Sequence, residues 1–463
     1  MFRIYDTRSR DLAQFSAKSP IKIYACGPTV YRDVHLGNLR SFLLPDLIRT
    51  ALASSGIDSY VVQNITDVGH MVDDSGIETL DPTQDKMLQQ AAAEQMSALA
   101  IARKYESQYL ADLTALNVQL PDQTPRASET IDQMLEVIAK LIELDFAYQG
   151  EDGSIFFSAQ KFPSYGAISG NTLDQLKPGH RFEGEVDAAK RFHGDWALWK
   201  AADERRTQLT WDTPWGRGFP GWHIECTAMS LNAFGDQIDI HTGGIDLRFP
   251  HHENERAQSN AVAGKEVVSA WVHAEHLLFE GRKMSKSTNN VVLLRDVIAA
   301  NITPAAVRLA FLENHYRQQL NLTWDTLVAA EQTIRRWSDQ VSLATEVDEP
   351  LSHEMSSYLL DNLNTAEAIL SLRAKEKELA KSPVARANAI ATAADLLKLN
   401  LAQPELELTP EVLRLLSDRG AARAEKNWQL SDQLRDQLNQ LGYEVNDASS
   451  GTQLRRAILP PKL

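Results

Sequence analysis

Ile21-Lys22-Ile23-Tyr24-Ala25 is a short run rich in β-formers, and Cys26-Gly27-Pro28-Thr29 breaks it with a Gly/Pro loop. From Asn38 a helical pattern begins, with Leu39, Phe42, Leu43, Leu47 and Ile48 apolar at three- and four-residue spacing. Ser59-Tyr60-Val61-Val62 then follows Gly56 as a second strand candidate. Strand, loop, helix and strand within so short a stretch begin a βαβ unit and predict a parallel sheet. Active-site groups in such sheets gather at the carboxyl ends of strands, where Cys26 and its loop fall.

Outward from this unit the chain divides by texture. It reads helical and acidic from Thr79 to Ala147. Between residues 148 and 210 it is broken by glycines and prolines, as an insertion of short strands would be. The segment from Trp211 to Asn290 carries most of the Trp, His and Gly of interest. After Pro304 the pattern is helical again, and Pro404 and Pro410 mark a linker. In the final segment a helical pattern turns Ala424, Trp428, Leu430, Leu434, Leu438 and Leu441 toward a core. Tyr443–Val445 and Gln453–Arg456 then suggest a hairpin. The expected division is therefore 1–120, an insertion at 121–210, 211–303, a helical bundle at 304–403 and a small terminal unit at 404–463.

The 463 residues hold 47 Lys and Arg against 62 Asp and Glu, a net −15. That balance argues against attachment to nucleic acid or anionic membrane by bulk charge, although not against a local basic face. From Ser417 onward the chain is near neutral, with seven basic and six acidic residues. There are two cysteines, Cys26 and Cys226, too few for a disulfide-stapled scaffold and suited to a reducing compartment. No apolar window approaches the ~20 residues of a membrane helix, and Asp6, Arg8, Arg10, Asp11 and Lys18 interrupt the first twenty residues. A cytoplasmic, membrane-free protein is expected.

Three groups of residues can carry chemistry. If Pro250 opens a helix, His251 and Glu255 stand four apart on one face and can grip one ion, with Cys226 upstream as a soft ligand. The same residues would equally suit a helix ion pair beside a buried thiol. His35-Leu36-Gly37-Asn38 lies at a loop-to-helix junction, where free N–H groups favour phosphate and Gly37 permits close approach. Asn38 is also an ordinary helix-start residue. Gly281-Arg282-Lys283-Met284-Ser285-Lys286-Ser287 is a cationic loop that suits a polyphosphate clamp or, as readily, a solvated surface. The GxxxxGK[ST] phosphate loop is absent.

Taken together, His35–Asn38 and Lys283–Ser287 resemble the HIGH and KMSKS signatures of class I aminoacyl-tRNA synthetases. Tyr24–Tyr31, Asn64-Ile65-Thr66-Asp67, Pro220–Cys226 and Phe249–Glu255 are similar to the cysteinyl-tRNA synthetase family in particular. The resemblance implies an α/β Rossmann-type catalytic domain split by an insertion, a helical bundle and a small α+β anticodon-binding domain. It implies one zinc ion on Cys26, Cys226, His251 and Glu255 that binds the thiolate of substrate L-cysteine. It further implies catalytic roles for His35, Asn38, Lys283 and Lys286, and ATP contacts from His35, Gly37, Asn38 and Lys286, with Mg²⁺ accompanying ATP. Trp222, His241 and Asp246 would line the substrate pocket, and tRNA(Cys) would be the acceptor of a monomeric enzyme. Asn38 replaces the second histidine of the HIGH pattern, and Val68–Asp74 departs from the family form. Two other readings share these motifs. One is a cysteine ligase acting on an amino-sugar inositol in mycothiol synthesis, whose resemblance ends soon after the helical region. The other is a zinc-containing RNA-binding relative without catalysis.

Overall fold

The computed structural model describes residues 1–16, 20–68, 85–175, 189–284, 290–403, 406–448 and 451–459. Lys286, Ser285, Ser287 and most of the 68–74 loop lie outside the described residues.

The opening strand and its successor form as the pattern predicts, as β1 (Ile21–Ala25) and β2 (Ser59–Gln63). Between them the helical pattern yields α1 (Leu36–Phe42) and a separate helix, Leu44–Ala53. Pro45 is the reason for the break. It sits in the first turn of the second helix, where its missing N–H costs nothing, but it cannot continue the first.

After the long middle segment come α2 (Trp222–Phe234), β3 (Ile238–Gly244), α3 (His251–Ala263) and β4 (Val268–Ala274). All four strands are parallel, in the order β4-β3-β1-β2. The chain leaves β1 toward β2 on one side and returns to β3 on the other. The sheet therefore changes direction between β1 and β3, and ligand crevices open at the carboxyl ends of strands at such a point. β1 is buried along nearly its whole length because helices cover both faces of the sheet.

The insertion is an antiparallel sheet of Ala147–Gln149, Ile155–Phe157, Trp196–Ala201, Gly216–Pro220 and Trp211–Thr213, in that order. Two of its strands lie beyond residue 210, so the expected boundary there cuts through a hydrogen-bonded sheet. At the other end, residues 122–127 bond alongside β2 and the loop after it, and the helix Ile131–Glu143 packs on α2 and α3. The range from 121 therefore begins within the main sheet.

Helices Pro304–Leu312, Trp324–Val341, Glu349–Leu360, Thr365–Glu378 and Pro383–Leu396 form the expected bundle and share the main core. The terminal unit has a core of its own around Val412, Leu415, Leu434, Leu438 and Tyr443. Its hairpin pairs Tyr443–Ala448 with Gly451–Arg456. Trp428, Leu430 and Leu441, expected in that core, are exposed, at 57%, 41% and 39%. The unit is too thin to cover every apolar position of the helix Trp428–Gln440.

Candidate metal centre and nucleotide site

Cys26 is the first residue beyond β1, and its N–H donates to the carbonyl of Thr242 in β3 at 3.0 Å. Cys226 comes from α2. That helix starts hard against the strand Trp196–Ala201, where a Cβ at Gly221 would run into the Ala197 carbonyl oxygen, so only glycine fits. Pro250 immediately precedes α3, which puts His251 and Glu255 on one face.

These elements converge. The two Sγ atoms lie 3.8 Å apart, Cys26 Sγ lies 3.4 Å from Glu255 Oε1, and that oxygen lies 3.0 Å from His251 Nε2. All four side chains are buried, and their donor atoms lie within 4.8 Å of one another. Bonds of ~2.3 Å to sulfur in a tetrahedron set two sulfurs about 3.8 Å apart, so the donor set fits zinc in both chemistry and spacing. Burial drives the Glu255 carboxyl and the Cys26 thiol well above their usual ranges, with the neighbouring sulfur adding to the rise at Cys26. A dication there would reverse that preference.

A ring of histidines surrounds these donors. His223 Nδ1 lies 2.8 Å from His251 Nδ1. His252 Nε2 is 3.3 Å from Cys26 Sγ, its Nδ1 is 2.9 Å from His273 Nε2, and His273 Nδ1 is 2.7 Å from Thr7 Oγ1. His241, on β3, places Nε2 3.5 Å from both Cys26 Sγ and Glu255 Oε2. Cys26, His241, His252 and Glu255 thus make a second, overlapping group of four donors. Burial, reinforced by neighbouring histidines, holds His241 and His252 well below the usual imidazole range, so both are neutral. Neutral imidazoles are competent ligands or hydrogen-bond partners.

Of the expected pocket residues, Trp222 packs on His251 at 4.2 Å between centroids and His241 stacks on Trp271 at 4.4 Å. Asp246 is exposed, on the turn Ile245–Arg248, with Oδ1 close against the space a Cβ on Gly244 would fill. It makes no hydrogen bond to the four donors among the described residues. Sequence reasoning missed His252, His273 and Thr7. The i,i+3 spacing of His252 to Glu255 was a usable signal, whereas nothing local marks the other two.

Elsewhere in the domain His35 caps α1. Its Nδ1 accepts from the Asn38 N–H, and Asn38 Oδ1 accepts from the His35 N–H, both at 3.2 Å. Nδ1 being an acceptor, the ring proton is assigned to Nε2, which is left as the donor. Burial and the cations Arg32 and Lys283 lower its pKa to about 4. Asn38, expected to face phosphate, spends its oxygen and its backbone N–H on this cap. Gly37 lies beneath Met284, and a Cβ there would come 3.3 Å from the Met284 methyl. Lys283 is exposed on the strand Arg282–Lys283, opposite Leu278. The two nucleotide motifs therefore touch, through Gly37 and Met284.

Residues 13–332 match the family described as tRNA synthetases class I (C) catalytic domain, and residues 406–455 match the cysteinyl-tRNA ligase anticodon binding domain. A cysteine--tRNA ligase of Thermus thermophilus is 38% identical over 98% of both chains. One of Chlamydia caviae is 35% identical over 98% of this chain and 97% of its own. Among solved structures, Mycobacterium tuberculosis methionyl-tRNA synthetase bound by methionyl-adenylate shares the fold. Its TM-score is 0.57 at 15% identity, covering 96% of this chain and 99% of that one. No helix among the described residues is long and apolar enough to cross a membrane.

Proposed function

The chain belongs to the class I cysteinyl-tRNA synthetase family, and from that premise we propose that it ligates L-cysteine to tRNA(Cys) through a cysteinyl-adenylate, consuming ATP. The observation that carries this reading is the buried set Cys26, Cys226, His251 and Glu255, gathered where the sheet changes direction. We assign one zinc ion to it, with His241 and His252 as its near neighbours.

Zinc held there would supply a soft Lewis acid for the substrate thiolate. Cysteine and serine differ by one atom, and packing alone separates such analogues by only ~1–3 kcal/mol. A thiolate is a far better ligand for this ion than a neutral hydroxyl, so selectivity follows from sulfur chemistry. Trp222 and His241 wall the pocket, and Asp246 stands at its exposed rim as a candidate for the substrate ammonium.

Activation requires the cysteine carboxylate to attack the α-phosphate of ATP and displace pyrophosphate, which depends mainly on alignment and on spreading charge. His35 contributes a neutral Nε2–H donor. Gly37 leaves backbone room for the nucleotide, and Asn38 holds the cap. Lys283 and Lys286 supply positive charge, and Mg²⁺ accompanies the nucleotide. The ribose hydroxyl of tRNA then attacks the adenylate carbonyl, forming the ester and breaking the mixed anhydride with release of AMP. The terminal unit supports tRNA over the amino-sugar acceptor, because its match is to an anticodon-binding domain. We place the protein in the cytoplasm, where its two thiols stay reduced, and take it as a monomer.

The test is aminoacylation of total tRNA with labelled cysteine, with and without a zinc chelator. Chelator-sensitive charging supports the proposal. Pyrophosphate exchange with cysteine but no transfer to tRNA would move the acceptor elsewhere.

A further inference from the structure

Arg40 is 5% exposed, two residues beyond the His35–Asn38 motif, and makes no salt bridge among the described residues. Its guanidinium donates instead to four carbonyls. Nη1 reaches Glu275 at 3.0 Å and His276 at 3.2 Å, and Nη2 reaches His315 at 3.1 Å and Gln318 at 2.8 Å. Burial lowers its pKa to about 10, which still leaves it charged at neutral pH.

The four carbonyls come from two chain segments with one destination. Glu275 and His276 lead into the strand Leu277–Phe279, and Gln318 leads into Leu320–Leu322; those strands pair in parallel. Leu277–Phe279 also pairs with Arg282–Lys283, so Lys283 sits on the third strand of this small sheet. Further along the chain, Val292 accepts a hydrogen bond from the Leu36 N–H at 3.0 Å. Asn290 Nδ2 donates to the Phe279 carbonyl at 2.9 Å and to that of Arg282 at 3.3 Å. Helix α1 thus holds the chain on both sides of the second nucleotide motif, at Leu36 directly and at Arg40 through the sheet.

We propose that Arg40 is a positioning residue for adenylate formation, setting the separation between His35–Asn38 and Lys283 by bridging the two segments that lead into the other strands of the lysine's sheet. The inference rests on the ATP-site reading above. Its physical core is geometry: only a planar fork can span two pairs of carbonyls from two segments. A lysine in the same place keeps the charge but offers a single point of donation. Ordinary helix packing would not require that fork.

The experiment is cysteine-dependent ATP–pyrophosphate exchange with the full chain, comparing wild type, Arg40→Lys and Arg40→Gln, alongside metal content and thermal unfolding. The expected result is a kcat at least tenfold lower in both variants and a raised KM for ATP. KM for cysteine should stay within twofold and metal content should be unchanged. Equal kcat in Arg40→Lys and wild type overturns the proposal, as does an equal rise in both KM values. Loss of the fold in both variants does so too, since Arg40 would then be a core residue only. If wild type itself shows no exchange with cysteine, the ATP-site reading has failed instead.

Discussion

Cys26 Sγ and Cys226 Sγ stand 3.8 Å apart across two hundred residues of sequence. One sulfur leaves the end of a central strand and the other comes from the second turn of a helix that the chain reaches only after the whole insertion. No other thiol exists in the chain. The pair makes the site soft, and it yields the first prediction.

Cys226→Ser should lose bound zinc and cysteine activation together, because a neutral hydroxyl replaces a thiolate ligand. Metal analysis of the purified variant checks this. Zinc kept at full occupancy would assign the ion to Cys26, His241, His252 and Glu255, and His252→Ala would then be the variant that empties the site.

Gly37→Ala should lower cysteine-dependent pyrophosphate exchange without weakening the fold. A Cβ there would lie 3.1 Å from the His35 ring and 3.3 Å from the Met284 methyl, so the neighbours that shift are the nucleotide motifs themselves. Alanine is otherwise the better helix residue by about 1 kcal/mol, so unfolding in denaturant should be unchanged or slightly harder. A tenfold fall in rate corresponds to about 1.4 kcal/mol of lost transition-state stabilisation. Full activity would mean that contact between the motifs is dispensable.

His35 titrates at about 4 in the folded protein, against an ordinary value of 6.5. Between these limits the unfolded chain binds the proton and the folded chain does not, so this group's contribution to stability rises with pH. Acidifying from pH 7 to 5.5 should therefore cost wild type about 1 kcal/mol more than it costs His35→Asn. Asparagine can still cap α1 but cannot ionise. Urea unfolding of both proteins at the two pH values measures the difference, and parallel losses would refute the assignment.

Arg308 and Asp46 form an ion pair at 2.7 Å, with side chains 1% and 2% exposed. The same guanidinium donates to the carbonyls of Leu397, Leu116 and Asn117, tying the bundle to the sheet domain. Arg308→Met should destabilise by about 3–5 kcal/mol, because it leaves a buried carboxylate and three carbonyls without that partner. Asp46→Asn should cost less, since an amide oxygen can still accept. Equal effects in chemical denaturation would argue against the carboxylate charge as the source.

Trp428 is 57% exposed, with the Arg423 guanidinium 5.8 Å from its ring centroid. An exposed aromatic beside a cation suits stacking on single-stranded RNA. Trp428→Ala should leave unfolding and pyrophosphate exchange unchanged and raise KM for tRNA several-fold. An unchanged tRNA KM would exclude this ring from RNA contact. The two arginines of the nearby hairpin are otherwise engaged: Arg455 pairs with Asp339, and Arg456 lies over the Tyr443 ring at 4.2 Å.

What the sequence determined by itself is local. Residue type marks β1 and the terminal hairpin, and spacing carries the four-residue step from His251 to Glu255, because a helix repeat places side chains on faces without reference to the rest of the chain. The motifs at His35–Asn38 and Lys283–Ser287 are short contiguous strings as well, but their meaning came from resemblance to a family and not from their own spacing. The tertiary structure decided which faces meet. Strand order brought Cys26 to Cys226, and the β1–β3 neighbourhood brought His241 beside them. The run from His252 through His273 to Thr7 depends on distances between α3, β4 and the residue that follows the strand Phe2–Asp6, which no local pattern encodes. It also reversed an amphipathic reading. Leu434 and Leu438 found a core, whereas Trp428, Leu430 and Leu441 lie along the same stretch and stay exposed, because burial depends on the surface opposite and not on the stripe alone.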